Sequence, residues 1–171
     1  MSQVVIRQGR EADDIAVLAM WDAAVAWLVT RDQAMQWGAE PPSKQHRYRE
    51  LVRQWVTDPG LRIAEIDGQT VGASVIGDTR PHYVSPTALR ETYLNFLISD
   101  RAHAGKGTGS ELVRRAAADA RVAGSEVLRV DCWAGAPDLV AWYERQGFIP
   151  SDTFTVDVRG GWHGQVFEMA L

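Results

Sequence analysis

The sequence lacks several features that would place it in particular classes of protein. Cys132 is the only cysteine, so neither an intrachain disulfide nor a thiolate metal site is expected. The net charge is −4 and no run of lysine and arginine occurs, which argues against a broad basic surface for nucleic acid. No apolar run is long enough to cross a membrane, and residues 1–7 lack the basic and apolar regions of a signal peptide. These absences favour a cytoplasmic protein without nucleic-acid or membrane partners.

The composition is that of a soluble globular protein. Hydrophobic residues make up 46% of the 171 residues and charged residues 23%. This length supports one domain with a substantial core and is short for two. No internal repeat, low-complexity segment or Pro/Gly/Ser-rich linker divides the chain. We therefore expect a single domain over residues 1–171.

Hydrophobic periodicity predicts an α/β fold around a mixed sheet, with the element order β-α-α-β-β-β-α-β-α-β-β. Strands are predicted at residues 4–8, 61–66, 70–77, 92–99, 127–133, 154–158 and 165–169. Helices are predicted from Asp13 or Asp14 to about residue 30, from a cap at Ser43 to about residue 58, over 107–123, and from Pro137 to Gly147. The first helix is expected to place one group of residues on a common side: Ile15, Leu18, Ala19, Asp22, Ala23 and Ala26. Residues 78–90 are predicted to form a long loop.

A glycine-rich turn, Ala104-Gly105-Lys106-Gly107-Thr108-Gly109, joins the 92–99 strand to the next helix. Because glycine has no Cβ, the backbone of such a turn can approach a ligand closely. Its N–H groups also converge at the positive end of the helix dipole, which is a favourable place for a phosphate. The simpler alternative is that the glycines only allow a tight turn.

Two other phosphate-binding motifs do not fit this turn. A Walker loop requires Gly-x-x-x-x-Gly-Lys followed by Ser or Thr, but Asp100 stands at the leading glycine and Gly107 follows Lys106. The dinucleotide pattern Gly-x-Gly-x-x-Gly has Ser110 where its third glycine should be, and no series of βαβ units follows. A nucleotide-binding domain is therefore disfavoured.

Two segments of the chain resemble the GCN5-related N-acetyltransferases. Residues 97–112, LISDRAHAGKGTGSEL, look like the pyrophosphate-binding motif of that family. Residues 128–133, LRVDCW, followed by residues 142–148, WYERQGF, look like its Tyr-Glu-Lys-x-Gly-Phe segment. The sequence departs from the family at Ala104, where Arg or Gln is usual, and at residues 136–138, where an asparagine is often found.

The resemblance implies a mostly antiparallel, twisted sheet flanked by four helices, and acetyl-CoA as the cofactor. It also implies that the 92–99 strand diverges from the 127–133 strand, so that the pantetheine arm lies in the gap and pairs with the backbone. The residues implied for cofactor binding are Leu97, Ile98, Ser99, Ala104, Gly105, Lys106, Gly107, Thr108, Gly109 and Ser110. Lys106, Arg101 and Arg114 are candidates for added positive charge, although each is more simply explained as a solvated surface residue.

Tyr143 is the candidate general acid. In the family, a tyrosine at this position lies near the thioester sulfur, and a tyrosine holds its proton at neutral pH. The amine would attack the thioester directly, through a tetrahedral intermediate and without a covalent enzyme intermediate. The alternative is that Tyr143 only packs in the core.

The general base is left open by the sequence. Glu91, Asn95, Asp131 and Asp22 are possible contributors, and ordered water is another, but a hydrogen-bonded structural role explains each carboxylate more simply. Cys132 is not expected to carry an acyl group, because no histidine is near it in the sequence. The four histidines show no metal-ligand spacing, so no metal site is predicted.

The acceptor is predicted to be a primary amine of a small molecule, with a peptide or protein amine as the alternative. Four of the seven tryptophans lie in the first two helices and their connection, which in the family form part of the acceptor wall: Trp21, Trp27, Trp37 and Trp55. Such residues more often fill the core. The 78–90 loop, with His82 and Tyr83, is the other candidate acceptor element. A CoA-binding module without turnover is the alternative function, and a homodimer is an expectation from the family only.

Overall fold

Seven strands form one sheet in the computed structural model, which describes residues 3–171, in the order β1-β2-β3-β4-β5-β7-β6. The strands are β1 (Val5–Gln8), β2 (Leu61–Ile66), β3 (Gln69–Gly77), β4 (Glu91–Ser99), β5 (Val127–Trp133), β6 (Ile149–Val156) and β7 (Trp162–Ala170). All neighbouring strands are antiparallel except β4 and β5, which are parallel. The predicted mixed, mostly antiparallel sheet is confirmed.

Helices cover both faces of this sheet. They are α1 (Asp14–Val29), α2 (His46–Trp55), α3 (Thr108–Val122) and α4 (Pro137–Arg145). One core cluster joins α1 and α2 to β2, β3 and β4, for example through Val25, Val52 and Phe96. A second cluster joins α3 and α4 to the opposite face, with Leu128 and Tyr143 among its members. The predicted element order is confirmed, and none of the helices in residues 3–171 combines the length and apolarity needed to cross a bilayer.

The predicted side of α1 is wrong for most of its residues, although Leu18 does pack against the core. Ile15 is 76% exposed, and Ala19, Ala23 and Ala26 are also exposed. The buried side is formed instead by Val17, Met20, Trp21, Ala24, Val25 and Leu28. Apolar residues occur all around this helix, so their spacing does not identify the inward side, and the bulkier side chains fill the core.

The predicted cap of α2 at Ser43 is also wrong. Ser43 lies in a short 3₁₀ turn, Pro42–Lys44, and α2 begins at His46. The backbone N–H of Ser43 donates to the carboxylate of Asp22 on α1, at 2.9 Å. Asp22 therefore holds this turn against α1, which is a structural role.

The last two strands are longer than predicted, because β7 pairs with β5 on one side and β6 on the other.

The parallel strands β4 and β5 separate soon after they meet. Pairing is confined to Glu91, Thr92 and Tyr93 of β4, which face Val127–Arg129 of β5. Beyond this point β4 pairs only with β3, and β5 only with β7. The sheet therefore contains an internal gap that widens towards the C-terminal ends of both strands, as the family resemblance implied.

Removing the carboxylate of Asp13 is expected to destabilise the fold. Asp13 is buried, and its oxygens accept from Arg7 at 2.7 and 2.9 Å and from the N–H of Arg10 at 2.8 Å. In Asp13→Asn, loss of these charged hydrogen bonds should lower the free energy of unfolding by about 1–3 kcal/mol at neutral pH. Urea denaturation of both proteins measures this difference.

The pH dependence of that difference has a defined sign. The hydrogen bonds from Arg7 lower the pKa of Asp13 below its usual value of 3.8. The contribution of Asp13 to stability is therefore complete above pH 3.8 and is lost as the pH falls through the lower pKa of the folded state. The advantage of the wild type should shrink in acid, and a difference that stays constant with pH would contradict this assignment.

Candidate active site

A cavity of about 310 Å³ lies at the mouth of the gap between β4 and β5. This volume is at the lower end of the range for sites that bind small molecules. Its walls come from α1, from the segment that follows α1, from the end of β4, from the start of α3 and from α4. The lining includes Trp27, Leu28, Gln36, Trp37, Leu97, Ile98, Ser99, Arg101, Gly109, Leu139, Trp142 and Tyr143. Four of the predicted cofactor residues and the predicted acid therefore line one cavity.

The exposed edge of β4 presents its backbone to this gap. The N–H of Asp100 donates to the carbonyl of Val71 on β3 at 2.8 Å, so the backbone groups of Asp100 face β3. Because backbone direction alternates along an antiparallel pair, the groups of Ile98 also face β3. Those of Leu97 and Ser99 face away from β3, into the gap. Ile98 contributes its side chain instead, which packs in the cluster below α1.

The glycine turn has the backbone geometry that its sequence predicts. Gly105 and Gly107 adopt left-handed conformations, with φ of +78° and +80°. Within residues 3–171, the N–H groups of Gly105, Gly107, Thr108, Gly109 and Ser110 donate to no protein acceptor. These free donors cluster at the start of α3, so the turn fits an anionic group such as a pyrophosphate.

Ala104 and Lys106 take a different part in the turn. The N–H of Ala104 donates to the carbonyl of Arg101, and that of Lys106 donates to the carbonyl of His103, each at 3.3 Å. The Lys106 side chain is exposed, which leaves it able to approach a ligand only from solvent. Arg114 pairs with Glu111 on α3. These two side chains are therefore surface charges in this structure.

Arg101 belongs to the cavity instead. Its guanidinium lies 3.7 Å from the centre of the Trp27 ring, and that of Arg31 lies 5.0 Å from the same ring. Arg31 is also 4.0 Å from Asp138. Sequence patterns could not reveal this stack, because α1 and the end of β4 are far apart in the chain.

Tyr143 lines the cavity and is almost completely buried. It is 6% exposed and packs against the rings of Trp142, Phe148 and Phe167, at centroid distances of 5.0, 5.7 and 5.4 Å. Burial raises the pKa of Tyr143 well above 10, and the charges of Cys132 and Asp131 raise it further. The hydroxyl therefore keeps its proton throughout the neutral and mildly alkaline range, as a general acid requires.

Gly109 lets α4 approach the start of α3. A Cβ atom at this position would lie 3.0 Å from Cζ2 of Trp142. Trp142 precedes Tyr143 on α4, so the close approach also sets the distance between the glycine turn and the candidate acid. The third glycine of the motif therefore has a packing role.

The other candidates for the base have structural partners or lack an acidic group. Glu91 forms an ion pair with Arg129 at 2.9 Å, and Asp22 holds Ser43 as described above. Asn95 is exposed at the irregularity where β4 shifts register against β3.

Cys132 is buried, and burial together with the charge of Asp131 raises its pKa to about 12, which disfavours the thiolate that a nucleophile needs.

Asp131 lies on β5 just beyond the residues that pair with β4, and it is not among the residues that line the cavity. Its Oδ1 accepts a hydrogen bond from the hydroxyl of Tyr93 on β4, at 2.5 Å. Burial raises the pKa of Asp131, and the hydrogen bond from Tyr93 opposes that shift. Sequence reasoning included Asp131 among several candidates but could not identify Tyr93 as its partner.

The tryptophans predicted for the acceptor wall divide into two groups. Trp21 and Trp55 are stacked at 5.8 Å and pack on Phe96, so they are core residues. Trp27 and Trp37 line the cavity. The 78–90 loop covers the sheet beside Asp131, where Val84 is buried against Tyr93.

Comparison with known protein families identifies the family to which this chain belongs. The family model described as "Acetyltransferase (GNAT) family" matches residues 22–148, which include the glycine turn, both divergent strands and Tyr143. The chain belongs to the GNAT acetyltransferase family. It is thus an acyltransferase, and acetyl-CoA is the cofactor that this family uses. Enzymes of this family act on amine acceptors.

Solved structures show the same fold over almost the whole GNAT chain. The N-acetyltransferase of Staphylococcus aureus Mu50 is 20% identical, with a TM-score of 0.71 and 99% of each chain covered. The ribosomal-protein-alanine N-acetyltransferase of Brucella melitensis is 23% identical, with a TM-score of 0.70 over 98% of this chain and 99% of that one. The yncA protein of Salmonella typhimurium, solved with its cofactor acetyl-CoA, is 22% identical, with a TM-score of 0.70 and coverage of 99% and 95%. No curated protein matches the sequence.

Proposed function

We propose that this chain, as a single catalytic domain over residues 1–171, transfers the acetyl group of acetyl-CoA to a primary amine of a small molecule. The observation that carries the proposal is the cavity in which the open edge of β4, the start of α3 and Tyr143 meet. Acetyl-CoA supplies an activated thioester, so the amine nitrogen can attack it directly. Gly105, Gly107, Thr108, Gly109 and Ser110 would bind the pyrophosphate through their N–H groups. Leu97 and Ser99 would pair with the pantetheine arm, with Ile98 packing beside it.

Tyr143 is proposed as the general acid that gives its proton to the departing thiolate. Its raised pKa keeps it protonated before the reaction, and its ring is fixed by aromatic neighbours on α4 and β7. Lys106 and Ala104 stay in the proposed cofactor site as turn residues, because their N–H groups are engaged within the turn. Their contribution is therefore to the shape of the loop.

A small acceptor is favoured by the segment that follows α1. The carbonyl of Met35 accepts from Nε1 of Trp162 at 2.6 Å and from Arg159 at 3.0 Å. The side chain of Gln36 accepts from the N–H of Trp133 at 2.9 Å. These bonds tie the segment to β5 and β7 across the end of the site, where a peptide acceptor would need an open groove.

The first test is thermal unfolding with and without saturating acetyl-CoA. A ligand at about 100 times its Kd adds about 2.7 kcal/mol to the stability of the folded state. For a chain of this size that corresponds to a rise in Tm of about 5–10 °C. ATP and NAD serve as matched controls, since both carry phosphates but no pantetheine, and they should shift Tm little.

The second part of the test measures free thiol released when primary amines are added with acetyl-CoA. Amine-dependent release supports the transferase. No shift of Tm with acetyl-CoA, or an equal shift with ATP, would remove the basis of the proposed cofactor site. A shift without thiol release from any small amine or peptide would support a CoA-binding module that lacks turnover.

A further inference from the structure

The cavity carries an excess of positive charge. Three of its described lining residues are charged at neutral pH: Arg31, Arg101 and Asp138. Two cations and one anion leave one positive charge unbalanced, although the chain as a whole has a net charge of −4. A local excess of this sign attracts an anionic group on a ligand.

Arg101 has no anionic partner within residues 3–171. Its Nε is buried and donates to no acceptor there, and its guanidinium lies against the ring of Trp27 at 3.7 Å. The shielded Arg62, by contrast, has the carboxylate of Asp119 at 2.8 Å. A shielded guanidinium without a counter-charge costs free energy, and a bound carboxylate would remove much of that cost.

Trp27 holds a second guanidinium beside the first. That of Arg31 lies 5.0 Å from the centre of the same ring, so one indole attracts both cations. Asp138 is 4.0 Å from Arg31, and their side chains are 89% and 48% exposed, so this ion pair is weak. One exposed carboxylate therefore faces two guanidiniums, each of which can bind a carboxylate through two parallel hydrogen bonds.

Arg101 lies on the face of the sheet that carries α1. Its contact with Trp27 places the guanidinium beside α1, which also packs on Ile98 of β4. The next residue back along β4, Leu97, packs instead with Leu112 of α3 on the opposite face. The free N–H groups of the glycine turn begin α3, so the proposed pyrophosphate site has donors of its own on that face. Arg101 is left for a second ligand, one that lies beneath α1.

The reacting amine and an anionic group fit into one small molecule. Tyr143, the proposed acid, lines the same cavity as Arg101, and the volume of about 310 Å³ suits a small acceptor. A carboxylate supplies the single negative charge that the lining lacks. A further ammonium, as in a polyamine, would face Arg31 and Arg101, whose charges repel it. An amino acid with an uncharged side chain meets these conditions.

We propose that Arg101, held by Trp27 and assisted by Arg31, binds the carboxylate of the acceptor, and that the acceptor is an amino acid with an uncharged side chain. This inference rests on the proposed acetyl transfer and names the substrate class of the same cavity. The ammonium loses one proton to water, and the neutral nitrogen forms the C–N bond to the acetyl carbon. As the C–S bond breaks, Tyr143 protonates the thiolate and recovers a proton from the new amide nitrogen. Each turnover thus yields an N-acetylamino acid, free thiol and one proton.

The substrate class is tested with leucine, methionine and phenylalanine, each compared with its own carboxamide, and with spermidine. A carboxamide keeps the size and the side chain of the acid and removes its charge. It also lowers the pKa of the amine, because the neighbouring negative charge is gone, so any preference for the acid is a minimum. We expect kcat/KM for at least one acid to exceed that of its carboxamide by about 10-fold or more, and spermidine to be the poorest acceptor.

Thiol release with the carboxamides or spermidine but not with the acids would leave the proposed transfer standing and overturn this inference. Equal use of acid and carboxamide in all three pairs would overturn it as well. Binding gives a readout that does not depend on turnover. On protein saturated with CoA, N-acetylleucine should raise Tm, whereas N-acetylleucinamide should not.

The role of Arg101 is tested with Arg101→Gln, which removes the charge and keeps a polar side chain. We expect kcat/KM for the preferred acid to fall by about 10- to 100-fold, mostly through KM, because a charged hydrogen-bonded pair is lost. For the matching carboxamide, kcat/KM should change by no more than about 3-fold. Arg101→Lys keeps the charge without the planar fork, so it should recover part of the loss. The rise in Tm with N-acetylleucine should disappear in Arg101→Gln.

The matched control is Arg53→Gln. Arg53 is an exposed residue of α2 that pairs with Glu50, and this variant should keep the wild-type preference for the acid. If Arg101 only supports Trp27, Arg101→Gln will lower kcat/KM for acid and carboxamide alike, and the unchanged ratio would refute a carboxylate site. If Arg101 binds a phosphate of the cofactor, the Kd for acetyl-CoA will rise by about 10-fold or more with the same unchanged ratio, which refutes it equally.

Discussion

Replacing Tyr143 with phenylalanine is expected to lower kcat by about 100- to 10,000-fold, the usual range for loss of a general acid. The substitution removes one hydroxyl and leaves the ring, which is packed between Trp142, Phe148 and Phe167. The rise in Tm with acetyl-CoA should therefore stay close to that of the wild type. Steady-state thiol release and thermal unfolding measure the two properties separately.

The matched control is Tyr48→Phe. Tyr48 is also packed against an aromatic ring, 4.8 Å from Trp21, but it belongs to the core below α1 and α2. This variant should keep wild-type kcat. If Tyr143→Phe retains more than about a tenth of the wild-type kcat, the departing thiolate does not depend on this hydroxyl.

The pH profile gives an independent check on Tyr143. Its pKa is raised by burial, so ionisation of this group cannot cause a fall in kcat at mildly alkaline pH. The wild-type rate should rise with pH as the amine loses its proton and should then stay level. An alkaline fall that disappears in Tyr143→Phe would show that the hydroxyl ionises in that range, contrary to its environment.

Replacing Gly72 with alanine is expected to weaken acetyl-CoA binding from a position outside the cavity. A Cβ atom at residue 72 would lie 2.6 Å from Cγ2 of Thr108, 3.0 Å from Cδ1 of Leu112 and 3.0 Å from the carbonyl oxygen of Ile98. Thr108 is the first residue of α3, so relief of this overlap must move the free N–H groups away from β4. Overpacking of this kind costs about 1–3 kcal/mol of stability.

A displacement of about 1 Å in a binding group can reduce its effect by about 100-fold. We therefore expect the Kd for acetyl-CoA, measured by calorimetry, to rise by about 10- to 100-fold in Gly72→Ala. Gly77→Ala on the same strand is the matched control, since its Cβ would lie 3.4 Å from Nδ2 of Asn95 and 3.9 Å from the backbone N of Thr79, both ordinary contacts. Equal affinities in the two variants would show that the position of α3 does not depend on the close approach at Gly72.

Much of the fold follows from local sequence patterns. Helix α3 and the turn before it are predictable because a small-residue stripe, flanking charges and left-handed glycines all lie within a short segment. The buried side of α1 is not predictable in this way, since apolar residues such as Ile15 and Val17 occur all around the helix and only tertiary packing selects among them. The predicted helix cap at Ser43 is wrong for a related reason. The N–H of Ser43 donates to the carboxylate of Asp22, which lies 21 residues earlier in the chain.

The residues of the candidate site also fall into two groups, those that a local motif predicts and those that only tertiary contacts bring together. Leu97, Ser99, Gly109 and Tyr143 could be predicted as site residues from motifs, because each motif is continuous in the chain. The contact between Tyr93 and Asp131 spans 38 residues, and that between Gln36 and Trp133 spans 97. Neither pair has a periodic signal, so only the folded chain reveals which side chains meet in the gap.

The divergence of β4 from β5 also affects how this protein avoids unwanted association. An unpaired strand edge is normally a template on which another polypeptide can add, and outer edges of sheets are prone to aggregation for that reason. The edge at Leu97 and Ser99 is in the middle of the sheet, with α1 above it and α3 and α4 below it. A second chain would have to displace a helix to reach it, whereas a slender, flexible arm can enter from the end. The same feature that leaves these backbone groups unpaired therefore restricts them to a ligand narrower than a β-strand.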